Sequence, residues 1–337
     1  MGRLMAGHNV TSFGYESGTY ANTSGTAQWL GLVQNFTPND SENIQRIRYH
    51  GTNTRNIDLS VPGIEDRGGT VEFFPQDFKM LMFALGSIND VTTGSPTYYT
   101  HNIDELESVD QAPMTSGTRN PFTSFTFESS QQFNPTGGNL IRTYKGGVVD
   151  NYSLAKTDNS APLLCNVDFV AQDLDFSSGA PTLGAPTEDT RRPYAPFDSL
   201  VHFPSGTVLD TKTWDFNIAQ NVDRDGAHVC NGSRTIISPT LGNRGHEFNV
   251  SVDGESTEIA RLYGLWKSGG LTTENLGLAI ENFGGTSGTT WITFSGCDVD
   301  TFDAPNPVEG IDEWTLSLIP KTVSAVVQDQ TLLYKGW

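Results

Sequence analysis

Positive charge is what this chain has least of. Its 337 residues carry 20 Lys and Arg against 39 Asp and Glu, a formal charge of −19. Lysine is the rarest of the four, 7 against 13 Arg, and Asp outnumbers Glu by 24 to 15. A surface that grips DNA or RNA works by neutralising phosphates, so the charge argues against nucleic-acid capture. Ordinary solubility, adaptation to high salt and a surface past which a polyanion slides without sticking all fit the balance. Apolar runs are short as well. None approaches the ~20 residues of a membrane-spanning helix, so no membrane partner is expected. The opening Met1-Gly-Arg-Leu-Met-Ala-Gly-His8 has no apolar stretch of the secretory type, which leads to the expectation of a cytoplasmic, reducing setting. Cys165, Cys230 and Cys297 lie far apart without metal-ligand spacing.

Motifs that carry chemistry are also missing. The six histidines are scattered, and His228-Val-Cys230 is the one close His/Cys pair, read here as plain strand. Asp223-Arg-Asp-Gly226 starts like a calcium loop, but its twelfth position is Arg234 where a bidentate Glu is required. Asp298, Asp300 and Asp303 form a small acidic group that fits turn formation better than cation binding. Gly68-Gly69 and Gly137-Gly138 lack the context of a phosphate-cradling loop. No catalytic, cofactor-binding or metal-binding residue is therefore assigned, and the expectation is a protein that is not an enzyme.

What is present is a repeat. Thr143-Tyr-Lys-Gly-Gly-Val-Val-Asp-Asn-Tyr152 returns 150 positions later as Thr293-Phe-Ser-Gly-Cys-Asp-Val-Asp-Thr-Phe302, matching Thr, aromatic, Gly, Val, Asp and aromatic in register. β-like runs flank both copies, Phe122–Phe127 and Leu276–Ile280 before, Leu163–Phe169 and Trp314–Ile319 after. Gly146 and Gly296 mark a bulge or tight bend. A helix is predicted in each half: Phe78, Leu81, Met82 and Leu85 behind Pro75, and Ile259, Leu262, Tyr263 and Trp266 behind Ser256. The helices match at an offset of 181 and the Gly-Asp motifs at 150, so the first copy holds 31 extra residues around Tyr98–Glu107.

The fold class expected is mainly β, as two tandem domains with one flanking helix each. Residues 1–29, rich in Gly, Ser and Thr, read as an extended arm. The first domain spans 30–175, a Pro/Gly-rich linker 176–206, and the second domain 207–337. Long polar loops at 50–69 and 232–245 occupy matched positions, and long loops inside compact domains are usually functional.

With these residues in hand the chain resembles the tail tube proteins of tailed viruses. The likeness rests on Gly18-Thr-Tyr-Ala21, on Val71–Gly86 with its strand, Pro and Leu-Gly stop, and on the aromatic-x-Gly motif at 144–152. It implies a β-sandwich or curled sheet beside a helix, rings whose inner sheets join into one barrel, and stacked rings that conduct the genome. The implied partners are further copies of the chain, a tape measure protein and the tail terminator and baseplate proteins, with DNA passing unbound. The implied place is the virion tail, after assembly in the host cytoplasm. Most such tubes are hexamers of one-domain chains. The repeat here is similar instead to fused pairs that close as a trimer with pseudo-six-fold symmetry, and the Asp-rich balance suits a virus of salt-loving archaea. A decoration or baseplate protein, a cell-surface or carbohydrate-binding β-sandwich protein and a β-rich glycosidase stay open as alternatives.

Overall fold

A computed structural model describes residues 9–16, 20–21, 26–47, 59–91, 99–106, 124–132, 139–204, 206–224, 233–236, 239, 241–253, 259–270, 274–281, 289–303 and 313–329. The chain is mainly β; among these residues only two segments are α-helical. The first half runs β1 (Asn9–Tyr15), β2 (Gln28–Trp29), β3 (Leu32–Pro38), β4 (Gln45–Ile47), β5 (Leu59–Val61), β6 (Arg67–Phe74) and α1 (Lys79–Leu85). It continues with β7 (Gly86–Val91), β8 (Tyr99–Glu105), β9 (Phe125–Gln132), β10 (Asn139–Lys156), β11 (Leu164–Ala171) and β12 (Asp173–Ser177). The second half holds β13 (Ser199–His202), β14 (Val208–Leu209), β15 (Thr211–Ala219), β16 (Gly245–Asp253) and α2 (Ile259–Lys267). It closes with β17 (Leu276–Glu281), β18 (Thr289–Ser295), β19 (Asp298–Asp303), β20 (Glu313–Ile319) and β21 (Thr322–Asp329).

Two layers share one core. The first is an antiparallel run of eight strands in the order β19-β20-β16-β15-β10-β11-β6-β3. The second layer has two parts, β2-β1-β9-β10-β12 and β14-β13-β17-β18-β21, and β8-β7 extends the latter. β10 belongs to both layers. Its first part pairs with β9 and β12, and its last part with β11 and β15. Gly146, at φ +64°, sits where it crosses over, as expected where a strand switches sheets. In the second half Gly296, at φ +61°, lies at the same turn between β18 and β19. Phe36, Phe127, Tyr144 and Phe169 lock the layers together in the first half, with neighbouring ring centroids 4.8–6.3 Å apart. Phe216, Phe248 and Phe294 do so in the second, at 5.1–5.2 Å.

Several sequence expectations change on contact with this architecture. Helix α1 begins at Lys79 rather than at Pro75; the Asp77 carboxylate accepts the Lys79 N–H at 3.2 Å and pairs with its ammonium at 2.7 Å. The arm is extended, yet part of it is core. β1 pairs with β9 over seven residues, and Phe13 and Tyr15 are buried. Inside the stretch read as linker, Ser199–His202 is a strand paired with β17, and Tyr194 stacks on Phe78 at 5.1 Å. The extra residues of the first half form the β7–β8 hairpin, which pairs with β21 of the second.

Candidate functional site

Strand pairing divides the eight-stranded layer into two runs of four strands. Reading β19-β20-β16-β15 and then β10-β11-β6-β3, each four-strand run has the same neighbour order, strand for strand. The registers agree as well. A bulge at Asp150 interrupts β10 against β11, and one at Asp300 interrupts β19 against β20. Another at Gln34 interrupts β3 against β6, and one at Lys212 interrupts β15 against β16. Bulges set local twist and bend, so the two runs curve alike.

The runs meet at the joint of β15 and β10, which is antiparallel from Asn151↔Ala219 to Lys156↔Trp214. Tyr152, Leu154, Phe216 and Ile218 bury one side of it, each no more than 1 % exposed. Asp150 fastens its end. The Asp150 carbonyl accepts the Gln220 N–H at 2.7 Å, and its carboxylate accepts the Val222 N–H at 2.9 Å and faces Arg224 at 3.6 Å. Gln220 and Arg244 reach across to the last carbonyls of α1, those of Ala84 and Leu85.

The same two kinds of edge recur at the ends of the layer. β19, the counterpart of the last part of β10, and β3, the counterpart of β15, each have a strand neighbour on one side only among the described residues. Such edges present rows of backbone donors and acceptors. Around β19 the difference from the joint is plain. Every residue of α1 is buried, whereas on α2 Tyr263 and Trp266 are 42 % and 38 % exposed and pack on Phe302 beside the edge. Beside β3 lies an open groove of about 470 Å³ lined by Val10, Trp29, Leu32 and Val33 among others.

The layer's two faces differ in charge. One face is core. On the other, Glu72, Asp168, Asp215, Glu247, Asp303 and Glu313 point away from the core among Asn, Ser and Thr. Of the basic residues in these strands, Arg142 and Lys145 belong to the part of β10 in the other layer, and Lys212 alone reaches that face, where Glu313 lies 3.6 Å away. Arg67 is engaged at the end of β6, and Lys156 and His246 are turned to the inner side. Burial pushes the Asp215 carboxyl up; the Asn249 amide opposes this, and the neighbouring Glu247 charge adds to it.

At one end of the layer the hairpin of β4 and β5 exposes Ile44, Leu59, Val61 and Ile64. Its base is tied by four charges: Arg67 binds Glu42 and Glu65 at 2.5 and 2.8 Å, and Arg234 binds the same two at 2.5 and 2.9 Å. The described parts of the loops 50–69 and 232–245 thus lie against each other at that end. On the far side of the joint Glu105 is held by His246 at 2.8 Å and Arg244 at 3.4 Å, and accepts the Val323 N–H at 2.7 Å. Burial opposes ionisation there, but these partners hold the carboxyl below its usual range.

The residues weighed for chemistry do not converge. No group of three metal-binding side chains occurs among the described residues. Asp298 faces Lys321 at 3.7 Å, Asp300 is the exposed bulge residue, and Asp303 lies on the outward face. His228, Cys230, Gly137 and Gly138 lie outside the described residues. Gly68 and Gly69 serve packing: a Cβ at Gly68 would meet the Phe169 carbonyl oxygen at 2.2 Å. Compared with known proteins, the chain matches no family model, and no curated protein matches it.

Proposed function

We propose that this chain is the subunit of a viral tail tube, built from two fused copies of one β unit. One observation carries the proposal: the internal joint joins a β10-type edge to a β15-type edge, and one edge of each type is left at the two ends of the layer. A chain whose ends repeat its own joint can continue that joint into another copy. Closed rings remove exposed edges altogether. Three chains would supply roughly 24 strands, a barrel about 45–50 Å across at usual strand spacing and tilt. A trimer of such fused pairs has the pseudo-six-fold plan, which is favoured here over a hexamer.

The outward face of the layer then becomes the wall of the conduit. Its acids and scarcity of basic side chains suit DNA in transit, because each Lys or Arg in contact with phosphate is an anchor released only by counterion exchange. The hairpin of β4 and β5 supplies the stacking contact between rings, its exposed apolar residues being those that an adjacent ring would cover. Tape measure, terminator and baseplate proteins are the remaining partners of this reading, and the virion tail is its location. Negative-stain microscopy of the purified full chain tests it: stacked rings with a central hole support the reading. A protein that stays monomeric across protein and salt concentrations refutes it.

A further inference from the structure

We infer that the joint between subunits copies the internal joint residue for residue, so that Thr301 of one chain stands opposite Ser41 of the next and Asp303 opposite Asn39. The inference rests on the ring reading above and adds its register. Matching β19 to the last part of β10 through the Asp150 and Asp300 bulges sets Thr301 at the place of Asn151 and Phe302 at that of Tyr152. Matching β3 to β15 through the Gln34 and Lys212 bulges sets Pro38 at the place of Phe216. Beyond Pro38, backbone pairing with β6 and the residue before it continues, with Asn39 N–H on the Gly68 carbonyl and Ser41 bridged to Asp66. Ser41 therefore stands where Ala219 does. Since Ala219 faces Asn151 in the internal joint, Ser41 faces Thr301.

Three features of the free edges fit this register. Asp300 is exposed and carries the same bulge with which Asp150 receives two backbone N–H groups. Its counterpart donors are the N–H groups of Glu42 and Ile44. Pro38 has no N–H to give where Phe216 pairs with Leu154, so the copied ladder ends there and its firm part lies between residues 39 and 44. The half-exposed aromatic patch of Tyr263 and Trp266 flanks this stretch, where α1 at the internal joint is covered.

Disulfide trapping tests the register. The Gln220-to-Asp150 backbone bond makes the next pair, Asn151 and Ala219, a non-hydrogen-bonded one, whose Cα atoms stand about 4.5 Å apart, within disulfide reach. Ser41→Cys with Thr301→Cys, on the same chain, should oxidise into covalent oligomers that stop at the closed ring. Thr37→Cys with Thr301→Cys is the control, about 13 Å further along the strand and expected to link at least about tenfold more slowly because that span exceeds disulfide geometry. All variants carry Cys230→Ser, and the native Cys165 and Cys297 compete little, being buried, with burial pushing the Cys297 thiol up to about 11. Crosslinking is run on material in which microscopy shows wild-type rings. Rings in which the matched pair stays unlinked, or links no faster than the control, overturn the register and leave the ring reading standing. Wild-type chain that never forms rings overturns both.

Discussion

Asp150 and Asp300 occupy the same bulge in two settings, and replacing each by Ala separates folding from assembly. Asp150→Ala removes the carboxylate acceptor of the Val222 N–H, at 2.9 Å, and the facing charge of Arg224 at 3.6 Å. A hydrogen bond to a charged group contributes about 1.5–3 kcal/mol. The Asp150 side chain is 28 % exposed, so water replaces part of it and the expected loss is about 1–2 kcal/mol; the half-open ion pair adds little. Melting of the unassembled chain should fall by roughly 1.5–3 °C. Asp300 is exposed in the single chain, so Asp300→Ala should alter its stability by less than ~0.5 kcal/mol. In a ring the same carboxylate would hold the next subunit. Losing about 1–2 kcal/mol per subunit joint raises the critical concentration for tube formation by about 5- to 30-fold. Circular dichroism below that concentration and sedimentation across it read the two effects. The reasoning fails if Asp300→Ala destabilises the single chain as much as Asp150→Ala does, or if it leaves the critical concentration unchanged.

The outward face gives a second prediction: with Asp215→Lys and Glu247→Lys, tubes should retain duplex DNA at low salt and release it steeply as salt rises. Wild-type tubes should retain none, and co-sedimentation at two salt concentrations decides. Glu105 gives a pH prediction. Its folded pKa is depressed, so its contribution is present above its unfolded value near 4.5 and is lost as pH falls through the folded value. The stability gap between wild type and Glu105→Gln should be widest near neutrality and close in acid, as followed by urea unfolding at several pH values; a constant gap would count against the assigned ion cluster. Gly146→Ala places a Cβ 2.7 Å from the Tyr20 ring at φ +64°, so it should cost more than the ~1–2 kcal/mol of left-handed backbone alone. Gly296→Ala, where the nearest atom is the flexible Lys321 stem at 3.0 Å, should cost about that backbone amount, and comparing the two melting curves checks the difference.

The strands and turns around Gly146 and Gly296 were legible in the sequence, because the backbone there demands particular residues. A left-handed turn favours Gly at 146 and 296, and a bulge with a side-chain acceptor favours Asp at 150. Those positions recur at one spacing, and both helices lie within the expected stretches. The parts that were not legible depend on distant partners. β1 has no hydrophobic period since it and the residue after it bury polar groups, Ser12 and Glu16. Glu16 is satisfied by the Gly146 and Ala21 N–H groups and the Thr126 hydroxyl, none of which a local pattern reveals. β13 hides in a Pro/Gly-rich stretch for a similar reason: its pairing with β17 and β14 makes it a strand. The free edges on which the proposal rests left no motif at all. What marks them is the order of strands, visible only once the two runs lie side by side, together with the lack of basic residues, which composition had already announced.

A reconstruction of the assembled particle by electron cryomicroscopy tests the central claim most directly. The account predicts a ring of three chains whose inner wall is the eight-stranded layer, with Glu72, Asp168, Asp215 and Glu247 facing the hole and β19 beside β3 of the next chain. A particle whose hole is lined by the β14-β13-β17-β18-β21 sheet, or by net positive charge, would contradict it.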